Sequence, residues 1–181
     1  MRILNADSFI EMLEQKSIGF DKRYSPPYCL TYLNRSMEEV SLCLDDIEYD
    51  VINFLDELVM QIGPWNSGWL WKRIPVWNYE SSAENESKNY IWKILIHEGF
   101  IPVDYSGAIE FKETEKKQLV RILFAQLMLG LSVYDDVCFI PDHMSVILSC
   151  DHHKMIRLDF KDTQEKVKFM QTKIGERFGE G

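Results

Sequence analysis

Apolar and polar positions along the chain alternate with two periods, and the switches between them predict the elements. Ser8-Phe-Ile-Glu11 has the form of a capping box, so a short helix is expected from there to about Gln15. Pro26-Pro27 cannot continue a helix. Tyr28 to Asn34, rich in aromatic and β-favouring residues, reads as a strand. The next stretch supports two readings. Met37, Val40, Leu44, Ile47, Val51, Phe54, Leu58 and Ile62 keep a spacing of three to four, as one long helix would. Val40 to Leu44 also alternate, and Asn34-Arg35-Ser36 can turn a hairpin back from the preceding strand. The favoured reading is a hairpin, then a helix from Asp45 or Asp46. Asp46 and Glu48 suit its positive end, Gly63 would cap it in the left-handed conformation, and Pro64 would stop it.

Gly68 to Trp77 reads as a strand with flanking loops, and Glu80 to Ser87 as a polar loop. A helix is expected over 87–98, ended by Gly99. Ile101 to Phe111 suggests a strand or irregular segment. Thr114 would cap a helix to Leu131, apolar on nearly every side and therefore buried. Three strand-like runs follow, in 135–142, 144–150 and 154–160, joined by short polar turns. Asp162 or Thr163 then opens a last helix with Val167, Met170, Ile174 and Phe178 on one face. Grouped strands and helices predict an α+β fold over 1–181. Its sheet is mostly antiparallel, has a C-terminal β-hairpin region and is packed by about five helices, in a single domain.

Composition narrows the partners. With 46% hydrophobic and 27% charged residues, 181 residues can bury a core without disulfides or metals. The net charge of −9, from 29 acids against 20 bases, argues against nucleic acid and favours a basic partner, or no partner and a charge that serves solubility alone. The N-terminus lacks the apolar run of a signal peptide, and Arg121 and Gln126 interrupt the longest apolar stretch, so no membrane span is expected. Cys29, Cys43, Cys138 and Cys150 form no C-x-x-C and read as free thiols of a reducing, cytoplasmic compartment.

The densest chemistry is Cys150-Asp151-His152-His153-Lys154, with Asp142-His143 just upstream. A hairpin reading puts 151–154 at a solvated tip, and adjacent histidines in a strand or turn are expected to point to different faces. His143 and His152 then stand at opposite ends of a strand spanning roughly 20 Å, too far apart for one zinc with nitrogens at about 2 Å. A metal-dependent hydrolase built on His143, His152, His153 and Asp142 or Asp151 requires that hairpin to be absent. His97 suits the negative end of a helix. Pro141-Asp142 matches the first half of a PD-(D/E)xK nuclease pattern, but Asp151 stands three residues before Lys154, so the second half fails. No P-loop, G-x-G-x-x-G, G-x-S-x-G or H-E-x-x-H occurs. Asp46, Glu48 and Asp50 alternate but lack the glycine and terminal acid of a calcium loop. No cofactor is expected.

Trp65, Trp69, Trp71 and Trp77 lie within 13 residues. They suit a packed strand face, an interface anchor, or a platform for a small ligand or sugar. The main reading is a non-catalytic module whose acids, Asp45, Asp46, Glu48, Asp50, Asp56 and Glu57, engage a basic protein with Trp65 and Trp69 as anchors. In size, acidity, α+β patterning and absence of a catalytic motif, the chain resembles the small acidic immunity proteins encoded beside bacterial contact-dependent and polymorphic toxins. The resemblance implies a dedicated cognate toxin domain, often a nuclease, as partner.

Overall fold

The computed structural model describes residues 2–20, 30–33, 38–47, 50–76, 97, 106–129 and 136–180. In chain order these hold β1 (Ile3–Leu4), α1 (Ala6–Glu14), β2 (Ile18–Phe20), β3 (Leu30–Tyr32), β4 (Glu39–Cys43), α2 (Val51–Gln61), β5 (Ser67–Val76) and β6 (Ser106–Lys112). Then come α3 (Lys116–Leu129), β7 (Val137–Pro141), β8 (Val146–Cys150), β9 (Met155–Phe160), α4 (Thr163–Met170) and β10 (Gly179–Glu180). Eight strands form one sheet in the order β1-β6-β5-β7-β8-β9-β4-β10, and β2 and β3 form a separate pair. Every pairing is antiparallel, as the α+β reading requires. Four of the five expected helices are seen. The fifth, over 87–98, lies outside the described residues except for His97, which is helical and exposed. No helix among the described residues is long and apolar enough to cross a membrane.

The sheet has a core on each face because the strands are apolar on both. Leu70 of β5, Phe139 of β7, Leu148 of β8 and Leu158 of β9 point to the face covered by α2, α3 and α4. Their neighbours Trp69, Trp71, Cys138, Ile140 and Ile147 point to the other face, where Phe9 and Leu13 of α1 and Ile18, Leu30 and Tyr32 of the small sheet cover them. Phe9 stacks on Trp71 with ring centroids 4.9 Å apart. Buried Asp159 of β9 fastens the small sheet, accepting from the Thr31 hydroxyl at 2.7 Å and the Tyr32 N–H at 3.2 Å.

Several local expectations are corrected. The cap of α1 is Asn5, which accepts from the Ser8 N–H at 2.9 Å, so Ser8 sits inside the first turn. The strand over Glu39–Cys43 exists, but it pairs with β9 and β10 while β3 pairs with β2, so the expected hairpin between them does not form. Leu44–Asp46 make a separate 3-10 turn, Ile47 is extended, and α2 starts at Val51 with Asp50 as its cap. The helix closes through the N–H groups of Ile62 and Gly63 on the Leu58 and Met60 carbonyls, and Gly63 is not left-handed. A 3-10 turn over Glu113–Glu115 precedes α3, and the Glu115 carboxylate accepts from the Lys112 N–H, so Thr114 is not the cap. The last helix stops at Met170. Thr172 donates its hydroxyl to the Phe169 carbonyl and accepts from the Gly175 N–H. A Cβ at Gly175 would lie 2.0 Å from the Phe169 oxygen, so the turn admits only glycine. Ile174 and Phe178 reach the core from this turn, while Val167 faces solvent.

Candidate functional site

The β8–β9 connection is a hairpin, but its tip is not wholly solvated. Asp151 is 4% exposed. One carboxylate oxygen accepts from the His153 and Met155 N–H groups at 2.9 and 3.0 Å, and the other pairs with Arg157. The neighbouring His152 is held from outside the hairpin. Asp136, also buried, accepts from its backbone N–H at 2.8 Å and from its Nδ1 at 2.9 Å, which places a proton on Nδ1. The expectation that His152 and His153 point apart is corrected. The chain turns here instead of running extended, and the rings lie against each other with centroids 3.9 Å apart. Burial first, then Asp151 and Asp136, pushes the Cys150 thiol far above its ordinary range. It is therefore a protonated packing group rather than a thiolate nucleophile or ligand.

His143 sits at the other end of β8. A backbone N–H can only donate, and the Ser145 N–H lies 3.2 Å from Nδ1, so Nδ1 accepts and Nε2 carries the proton. That proton is donated to the carbonyl of Ile62 at the end of α2, at 3.0 Å. The Ser145 hydroxyl, 2.8 Å from Nδ1, donates to the same lone pair. Asp142 accepts from the N–H groups of Asn66, Ser67 and His143. The turn is thus a staple between β5, β8 and the end of α2. Five residues of β8 separate it from the other histidines, roughly 16 Å of extended chain. Among the described residues no three His, Cys, Asp or Glu side chains are grouped as metal ligands would be.

The tryptophans are interior. Trp65 is 6% exposed on the helical side, donates its indole N–H to the Val59 carbonyl at 3.0 Å and meets Phe139 edge-on. Trp69 is 5% exposed on the opposite side, against Phe9. Alternation along β5 and the closure of α2 turn both rings inward, as the packed alternative expects, and Trp65 also lines the groove described below. Trp77 and Glu48 lie outside the described residues.

The remaining acids spread along α2 and the 3-10 turn before it. Asp45 and Asp46 are exposed on the 3-10 turn, and Arg177 donates to the Asp46 carbonyl at 3.4 Å while lying over the Phe54 ring. Asp50 caps α2 through the Ile52 N–H at 3.1 Å and also accepts from the Asn53 amide. Within α2, Phe54, Leu55, Leu58 and Val59 are buried, which leaves Asn53, Glu57, Met60 and Gln61 on the outer stripe in line with Asp50. Asp56, on the flank, is tied to Lys116 of α3 at 3.1 Å. Between Arg35 and Lys72 the chain has eight carboxylates and no Lys, Arg or His. This one-sign run is the plain sequence signal for the surface. Beside its end lies a groove of about 750 Å3, lined by Glu57, Met60, Pro64, Trp65, Glu113 and Lys173 among others.

No protein-family model matches the chain, and neither the curated proteins nor the solved structures contain a match to it.

Proposed function

We propose that the protein is a non-catalytic binding module that neutralises a basic partner, of the kind an immunity protein makes with a cationic toxin domain. The observation that supports this most is the row of exposed carboxylates at Asp45, Asp46, Asp50 and Glu57, in a stretch of sequence that holds no Lys, Arg or His. Such a face attracts a basic protein over distance and accelerates its encounter by roughly 10- to 1000-fold at low salt. A toxin domain that grips nucleic acid needs a basic cleft, and a carboxylate-bearing helix competes for it directly.

The test is association with cationic protein domains, a basic nuclease domain first, followed by stopped-flow mixing across a range of salt. The association rate should fall steeply as salt rises. Asp45→Lys with Asp46→Lys should lower it about tenfold at low salt while leaving dissociation nearly unchanged. An association rate insensitive to salt and to both reversals would sink the reading.

A further inference from the structure

We propose that the groove beside Met60 is the docking site for a cationic partner segment that also carries an apolar side chain. The charged positions of that segment would lie on the outer stripe of α2. This rests on the binding reading above and adds the surface and the chemistry of the segment. Met60 is 61% exposed, the highest value among the large hydrophobic side chains described. It stands on the last turn of α2 at the lip of the groove, and Pro64, Trp65 and Ile174 supply further apolar lining. A flexible thioether at the mouth of a preformed recess of mixed lining suits an apolar side chain arriving from outside. At about 750 Å3 the recess holds more than one side chain.

Charge complementarity selects the occupant. On the α2 side Glu57 lines the groove, Asp50 stands further along the same outer stripe, and Glu113 adds a carboxylate from across the groove. Lys116 also lines it, but Asp56 already holds that ammonium at 3.1 Å. Lys173 is the remaining lining cation, and it disfavours a segment that is basic throughout. A mixed segment with one apolar anchor is therefore preferred over a purely cationic one. The spacing follows from the helix rise. Glu57 lies roughly 4.5 Å along α2 from Met60, and Asp50 roughly 15 Å. A helical segment alongside matches this with an apolar residue and with Lys or Arg about three and about ten positions away.

Two synthetic helical peptides of equal positive charge test the proposal by titration calorimetry at low salt. One carries leucines along one face, and the other carries serines in their place. The expected result is binding of the leucine peptide at least tenfold tighter. Met60→Asp should abolish that preference, and Val167→Asp, a comparably exposed site on α4, should leave it intact. Equal binding of the two peptides, or a preference that survives Met60→Asp, overturns the groove. In that case cationic binding that persists and weakens with Glu57→Lys still supports the acidic face. Failure of both peptides to bind overturns the groove and counts against the acidic reading as well.

Discussion

Gln126 sits on α3 in line with Leu119, Ile122 and Leu123, and all four are 1% exposed or less. Among the described residues neither its amide nitrogen nor its amide oxygen has a hydrogen-bond partner. An unpaired amide in an apolar interior costs roughly 1–3 kcal/mol. Gln126→Leu should therefore raise the unfolding free energy by about 1–2 kcal/mol in urea titrations, and a loss of stability would show that the amide is satisfied. Cys150 gives a pH prediction. In the unfolded chain the thiol ionises near its ordinary value of 9, while in the fold it stays protonated well above that. Its contribution is thus complete below about pH 9 and declines as pH rises, by up to about 1.4 kcal/mol per pH unit. Cys150→Ala should flatten the alkaline fall in stability relative to the parent. Peptide mapping after alkylation should find Cys150 unmodified until the protein unfolds.

Capping and sheet anchoring make separable claims about the elements. Asp50 holds the first turn of α2, so Asp50→Ala should destabilise by about 1 kcal/mol in denaturant, with Asp50→Ser nearly neutral. Asp159 fastens β3 to β9 across the second face. Asp159→Ala should speed amide exchange in β2 and β3 first, while β7 and β8 keep their protection, because Asp159 ties the small sheet to β9. Gly68 of β5 shows how tightly the helical face is filled. A Cβ there would lie 2.3 Å from the Phe139 ring and 2.9 Å from the Ile140 carbonyl oxygen. Gly68→Ala should cost roughly 1–3 kcal/mol by overpacking, read as a lowered melting temperature.

Across the whole molecule, charge is uneven in a way the net value of −9 conceals. Residues 36–71 carry eight acids and no base, and they supply α2 together with its approach. The fold leaves Asp45, Asp46, Asp50 and Glu57 facing solvent, while Asp56 is occupied by Lys116. The strands β5, β7, β8 and β9 were legible because alternation and turn residues are local signals. The partners of β4 were not, since β9 lies more than a hundred residues further along the chain. The acidic surface was legible in composition. The groove was not, because it forms where the end of α2, the start of α3 and the turn after α4 meet.

Local pattern was thus sufficient for the class of fold, for the periods that assign strand and helix, and for the sign of the surface. All three depend on neighbours within a few positions. It was not sufficient for which strands pair, which polar groups are buried, and which side chains remain available to a partner. Asp151 looks like a turn residue and is a buried ion-pair partner. His152 looks like a solvated tip residue and is held by Asp136 from 16 positions away. Trp65 and Trp69 look like anchors and are core, on opposite faces of one sheet. The Asp151 pair closes across the hairpin to Arg157, while the other outcomes depend on contacts between segments further apart, whose free energy exists only once the chain has closed around them.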